Sequence, residues 1–100
     1  MVPEINWSKG AESTFDDALK YLEHNFSDKE VRKFAGKVQQ RLNTIQSNPR
    51  FGRKISMQLN FRKTIINKRV ALYCQYKPRK KEMELLVFWN TLQNPKRLKI

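Results

Sequence analysis

The chain has 100 residues, of which 39% are hydrophobic and 11% aromatic, and its formal net charge is +12. This composition excludes an intrinsically disordered chain, and the length predicts one domain over residues 1–100. No apolar run approaches the roughly 18 residues of a membrane span, and the start of the chain lacks the basic and apolar regions of a signal peptide. We therefore predict a cytoplasmic protein with no membrane partner.

The net positive charge lies in the second half of the chain. Residues 1–48 contain seven Lys or Arg and seven Asp or Glu, whereas residues 49–100 contain fourteen Lys or Arg and two acids, Glu82 and Glu84. Such segregation favours a polyanionic partner, either nucleic acid or an acidic protein segment. The alternative is a surface whose charge only keeps the protein soluble.

The first quarter of the chain predicts a strand and a helix. Residues 3–7 alternate weakly, as in a short strand, and Ser8 is a good N-cap for the helix that follows. Apolar side chains then recur with the period of an amphipathic helix. These positions are Phe15, Ala18, Leu19, Leu22 and Phe26.

A second helix follows at once. Ser27 and Glu30 have the spacing of a capping box, and Asn48-Pro49 marks the helix end because proline disfavours helix in the residue before it. The short connection predicts an antiparallel helical hairpin, and residues 50–60 are predicted to form a loop. The apolar positions of the second helix are Val31, Phe34, Ala35, Val38, Leu42 and Ile45.

Three strand-like runs complete the chain, at residues 61–66, 70–76 and 84–89. The order β-α-α-β-β-β predicts an α+β domain, in which an N-terminal strand and a two-helix hairpin pack on one face of a small antiparallel sheet. Because the basic half supplies most of this sheet, we expect the excess cations on the face away from the helices and on its rims.

The sequence lacks the combinations of residues on which most enzyme classes depend. His24 is the only histidine and lies near the polar side of the first helix, and Cys74 is the only cysteine, predicted to be buried and inert. No cluster has metal-ligand spacing, so we predict no metal and no cofactor. Arg62 remains as a candidate functional residue, because its planar guanidinium can bind phosphate through two hydrogen bonds.

The ordered segments also resemble a known family. The strand EINWS, the loop NPRFGRK, the strands FRKTII and RVALYCQYK, and the segment ELLVFWNTLQNP resemble the RelE/ParE family of bacterial toxins over about residues 3–97. The resemblance implies the toxin of a type II toxin–antitoxin system, a small basic protein that an acidic cognate antitoxin neutralises. It also implies that operator DNA is bound only in complex with the antitoxin.

The family contains two mechanisms, and the residues leave both open. RelE-like members cut mRNA on the ribosome without a metal, whereas ParE-like members block DNA gyrase without catalysis. Thr64 stands where RelE-like nucleases often have lysine, no tyrosine follows Tyr76, and Leu92 replaces an arginine of many ParE-like members. Ribosome-dependent mRNA cleavage is the first hypothesis, gyrase inhibition is the alternative, and a plain nucleic-acid-binding module is a third interpretation.

The resemblance assigns candidate roles to individual residues. Arg62 falls where RelE-like nucleases place a basic residue, so it is the candidate catalytic stabiliser of the phosphorane-like transition state, with Lys63 or Arg69 assisting. Trp89 is either a core aromatic or a platform on which a nucleobase stacks. The candidate ligands of RNA phosphates are Arg53, Lys54, Arg79, Lys81 and Arg97.

Overall fold

The computed structural model describes residues 3–56 and 60–91, and these form an α+β domain of two helices and a five-stranded sheet. The elements in chain order are β1 (Glu4–Trp7), α1 (Lys9–Asn25), α2 (Asp28–Ser47), β2 (Arg53–Ser56), β3 (Phe61–Ile65), β4 (Val70–Lys77) and β5 (Glu82–Asn90). The predicted fold class and the helical hairpin after the first strand are confirmed.

The sheet differs from the prediction in two respects. Residues 53–56, predicted as part of a loop, form β2, which pairs antiparallel with β3 and occupies an edge of the sheet. The strand order is β1-β5-β4-β3-β2, and β1 runs parallel to β5, so the sheet is mixed rather than antiparallel. The helical hairpin explains this arrangement, because it crosses the sheet between β1 at one edge and β2 at the other.

The N-terminus of α1 is fixed to β5. The Ser8 hydroxyl accepts a hydrogen bond from the amide of Ala11 at 3.0 Å, which caps the helix as predicted, and donates one to the carbonyl of Leu86 at 3.0 Å. The start of α2 is not capped in this way. Ser27 stands at the N-cap but makes no side-chain capping bond within the described residues, so the predicted capping box does not form.

The core lies between the helices and one face of the sheet. Residues that alternate along β4 and β5, among them Leu72, Met83 and Leu85, are nearly inaccessible and contact the buried side of α2. Four aromatic rings pack together where α1, α2, β1 and β5 meet, with neighbouring ring centroids 5.3–5.9 Å apart. They are Trp7, Phe15, Phe34 and Phe88.

Two helical glycines are expected to respond oppositely to alanine. A Cβ at Gly36 would meet no described heavy atom within 4 Å, so Gly36→Ala should raise the free energy of unfolding by roughly 0.5–1 kcal/mol. A Cβ at Gly10 would lie 2.9 Å from the carbonyl oxygen of Leu86, so Gly10→Ala should lower it by about 1 kcal/mol or more. Urea unfolding measures both values. A stabilising Gly10→Ala would contradict the close approach of α1 to β5.

Candidate functional site

Arg62 lies on the helix-covered side of the sheet. Alternation along β3 places it on the same side as Thr64, which is 5% exposed, and Ile66, which belongs to the core. Its partner in the β3–β4 register is the buried Cys74. The half-buried Arg62 donates a hydrogen bond from Nη1 to the carbonyl oxygen of Gly52 at 3.0 Å, which orients the guanidinium.

Position 52, whose carbonyl oxygen accepts this bond, has a backbone conformation that requires glycine. Its φ of 96° is in the left-handed region, and a Cβ there would lie 2.8 Å from the carbonyl oxygen of Lys63. Only glycine therefore allows the chain entering β2 to approach β3 so closely. The glycine in the segment NPRFGRK thus has a specific role, which is to present a carbonyl oxygen to Arg62.

Lys54 stands beside Arg62. The two residues are partners in the β2–β3 register, so they share a face of the sheet, and such partners have Cβ atoms roughly 4.5–5.5 Å apart. Neither forms an ion pair with any residue in the described ranges 3–56 and 60–91. Two adjacent cations that lack a carboxylate partner repel each other, and an anion bound between them relieves that repulsion. The Lys54–Arg62 pair is the candidate functional site.

Arg53 and Lys63 form a second pair on the opposite face. They are partners in the β2–β3 register, and the Lys63 ammonium lies 5.9 Å from the centroid of the Tyr73 ring. This face also carries Glu84, which forms an ion pair of 3.3 Å with Lys77. The excess cations were predicted on this face and its rims, and that prediction is wrong for Arg62, because β2 and β3 present basic side chains on both sides of the sheet.

Arg69 lies apart from both the Lys54–Arg62 pair and the Arg53–Lys63 pair. It immediately precedes β4, about five residues from Cys74 and thus roughly 16 Å along the strand from the level of Arg62. Its guanidinium lies 5.0 Å from the ring centroid of Phe26 and donates a hydrogen bond to the hydroxyl of Tyr21 at 3.2 Å. The structure does not bring together the three residues predicted to be catalytic, which are Arg62, Lys63 and Arg69.

The remaining candidates are spread over the domain. Arg79 and Lys81 are exposed at the tip of the β4–β5 hairpin, and their contact with RNA remains a prediction. Trp89 is half-buried on the side of the sheet away from the helices, next to Ala71. Its indole Nε1 is buried and has no hydrogen-bond partner among the described residues. Arg97 lies outside the described residues.

The sequence named Lys54 as a candidate ligand of RNA phosphates but did not reveal that it lies beside Arg62, because residues 50–60 were predicted to form a loop. Tyr76, two residues beyond Cys74 on β4, packs against the core on the same side of the sheet as Arg62. Residues 52–56, GRKIS, contain one hydrophobic residue, Ile55, so no alternation marked β2 as a strand. Only the pairing of β2 with β3 identifies this segment as a strand and places Lys54 beside Arg62.

Cys74 is buried, as predicted, and lies beside Arg62 in the β3–β4 register. Burial raises the pKa of its thiol to about 11, and the nearby charge of Arg62 acts in the opposite direction. The unfolded thiol, with a pKa of about 8.5, loses its proton first, so the thiol's contribution to stability falls as the pH rises between the two values.

We expect Cys74 to react slowly with thiol reagents. At pH 8 a thiol of pKa about 11 is about 0.1% thiolate, and the side chain is only 1% exposed, so labelling by a disulfide reagent should be at least 100-fold slower in the folded protein than in urea. The absorbance of the released thiolate measures both rates. Equal rates would show that Cys74 is accessible.

The described residues contain neither a metal-binding cluster nor a helix that could span a membrane. No group of three or more His, Cys, Asp or Glu within residues 3–56 and 60–91 could hold a metal ion. Neither α1 nor α2 is long and apolar enough to cross a membrane. The side chains of the Lys54–Arg62 pair supply positive charge and hydrogen-bond donors.

This fold occurs in a known protein. The chain is similar in structure to a metal-bound toxin from Helicobacter pylori, with a TM-score of 0.60 over 92% of this chain and 97% of that chain, at 20% sequence identity. No protein-family model and no curated protein sequence matches the chain. At this level of identity the similarity establishes a shared α+β fold over nearly the full length of both proteins.

Proposed function

We propose that this protein is the toxin of a type II toxin–antitoxin system and that it inhibits translation by ribosome-dependent cleavage of mRNA. The observation that carries the proposal is the Lys54–Arg62 pair, two adjacent cations without a described acidic partner. The similarity in fold to a toxin and the segregation of positive charge in residues 49–100 support it. The proposed partners are an acidic cognate antitoxin, the ribosome and mRNA.

Cleavage of this kind requires stabilisation of a developing negative charge. The ribose 2′-hydroxyl loses its proton to water as its oxygen bonds to the adjacent phosphorus, and the bond from phosphorus to the 5′-oxygen breaks as that oxygen takes up a proton from water. The products are a 2′,3′-cyclic phosphate and a 5′-hydroxyl, and the phosphorane-like transition state carries extra charge on its non-bridging oxygens. The guanidinium of Arg62, held by the carbonyl oxygen of Gly52, can donate two hydrogen bonds to those oxygens. The Lys54 ammonium on the same face adds a second positive charge beside them.

Induction of the gene in growing cells tests the proposal. We expect growth arrest together with new 5′ ends inside translated messages, mapped by primer extension. In vitro, the same messages should be cut when they are bound to ribosomes and remain intact as naked RNA. Growth arrest with intact messages would contradict the nuclease mechanism.

A ParE-like inhibitor of DNA gyrase is the second candidate. The separation of Arg62, Lys63 and Arg69 favours it, because a non-catalytic inhibitor needs a docking surface and does not need residues gathered for proton transfer. Loss of negative supercoiling in a reporter plasmid and induction of the DNA damage response would identify this mechanism. Measuring both in the same induced culture as message integrity separates the two candidates.

A further inference from the structure

The outer edge of β1 carries backbone groups without partners. On its inner side β1 is bonded to the chain of β5, and the amide of Glu4 donates to the carbonyl oxygen of Lys81 at 2.9 Å. Because backbone groups alternate in direction along a strand, the amides and carbonyls of Ile5 and Trp7 point away from β5. In the part of the chain that the structure describes, no other element forms a hydrogen bond with them.

The helices leave this edge largely open. The side chain of Gln46 on α2 donates from Nε2 to the carbonyl oxygen of Pro3 at 2.9 Å, and it covers the edge just before β1. The chain after β1 turns inward over the sheet, since the Ser8 hydroxyl donates to the carbonyl oxygen of Leu86 on β5. A row of unpaired strand groups that is open to solvent is a template for pairing with another strand.

The other edge of the sheet has features that discourage such pairing. β2 presents the exposed Arg53 and Lys54, and its register with β3 shifts between Lys54 and Ser56. Charged side chains and bulges on an edge strand prevent association with another edge. β1 pairs with β5 in an uninterrupted register, and its outward-facing groups belong to the half-buried Ile5 and Trp7. β1 is therefore the edge at which a further strand can add.

The surface around β1 is balanced in charge. The start of α1 places Lys9 beside Glu12 and Asp16 around a shallow depression next to β1. Residues 1–48 have no net charge, whereas residues 49–100 carry the whole excess of +12. A second copy can therefore approach at β1 without local repulsion, and repulsion between the basic halves is screened beyond about 8 Å at physiological salt. A polyanion gains little from a surface without net charge.

We propose that β1 pairs antiparallel with β1 of a second copy of this chain, which forms a two-fold dimer with one continuous sheet. The axis passes beside Asn6, so Ile5 of each chain lies opposite Trp7 of the other, and each such pair exchanges two backbone hydrogen bonds. The Ile5 and Trp7 side chains meet on the helix-covered side, and the two exposed Asn6 side chains meet on the open side. Because the interface is self-complementary, it closes as a dimer.

Dimerisation leaves both Lys54–Arg62 pairs uncovered. The strand order β1-β5-β4-β3-β2 puts β2 and β3 at the far side of each sheet from the interface. Three strand spacings separate β3 from β1 in each chain and one joins the chains, so the two β3 strands are roughly 34 Å apart. The proposal rests on the backbone of β1, and it does not depend on how Arg62 acts.

Sedimentation equilibrium of the whole protein, from about 1 to about 300 µM, tests the proposal. We expect a monomer–dimer equilibrium with a Kd on the order of 10 µM, because a short strand forms a small interface. Asn6→Lys brings two like charges directly opposite each other across the axis, so it should raise the Kd about tenfold or more, and Asn6→Glu should do the same. Circular dichroism checks that both variants keep the fold.

An equimolar mixture of Asn6→Lys and Asn6→Glu distinguishes two-fold pairing at β1 from any other contact between copies. In the mixed dimer the opposite charges face each other, so the mixture should dimerise about as tightly as the unchanged protein. The control is Asn25→Lys, the same substitution at an exposed position at the far end of α1. It should leave the Kd within about twofold.

Three outcomes would overturn the proposal. The first is a protein that stays monomeric at every concentration. The second is a dimer that Asn6→Lys weakens no more than Asn25→Lys does. The third is a mixture of the two Asn6 variants that dimerises no more tightly than either variant alone.

Discussion

Replacement of Arg62 by alanine is expected to lower ribosome-dependent mRNA cleavage roughly 10²–10³-fold, because it removes the oriented donor of two hydrogen bonds to the transition state. Arg62→Lys keeps the positive charge but loses the planar fork and the bond from Nη1 to Gly52, so it should recover only part of the lost rate. Single-turnover cleavage of a message held on ribosomes measures the rates. Growth after induction provides the corresponding measurement in cells.

Arg50→Ala is the matched control for this prediction. Arg50 is exposed, precedes β2 and lies outside the Lys54–Arg62 pair, so its replacement removes the same charge without touching the site. We expect its cleavage rate to stay within about threefold of the unchanged protein, since an exposed charge contributes mainly through screened, long-range attraction. Full toxicity and full cleavage by Arg62→Ala would show that Arg62 has no catalytic role.

Replacement of Phe88 by alanine is expected to lower the free energy of unfolding by roughly 3–5 kcal/mol. Phe88 is 5% exposed, and its ring lies 5.5 Å from that of Trp7 and 5.3 Å from that of Phe15, between β5, β1 and α1. The cost is large because the surrounding rings cannot close the cavity. For a domain whose total stability is typically about 5–15 kcal/mol, this shift leaves little margin at 37 °C.

Phe26→Ala makes the same chemical change at a site that is 41% exposed. It removes a contact with Arg69 and little buried area, so it should cost about 1 kcal/mol or less. Thermal unfolding followed by circular dichroism compares the two variants, and Phe88→Ala should show the lower midpoint by more than about 10 °C. Similar midpoints for both variants would contradict the assignment of the core to the helix-covered face.

The sequence predicted the helices well because each has a long apolar stripe and a local end signal. Ser8 and Asn48-Pro49 act within a few residues of themselves, so neither depends on distant parts of the chain. β2 was missed because only one of its four residues is hydrophobic, and these residues become a strand only through pairing with β3. The parallel pairing of β1 with β5 was missed for the same reason, since it depends on contacts across the whole chain.

The candidate site was predicted only in part. Alternation placed Arg62 and Lys63 on opposite sides of β3, but it could not decide which side meets the helices, because both sides contain apolar residues. The proximity of Lys54 to Arg62 followed only from the register of β2. Arg69 was named from its place in the chain, and its contacts with Tyr21 and Phe26 join segments nearly fifty positions apart, which no local pattern encodes.

The pairing of the first strand with the last has a consequence for synthesis of the protein. β1 is synthesised well before its register partners, which begin at Glu82, and the Ser8–Leu86 bond spans 78 positions. A nascent chain that stops before β5 leaves Ile5 and Trp7 without their neighbours in the sheet. The domain therefore completes its folding only after β5 has been synthesised, and fragments that end before β5 are expected to remain unstructured.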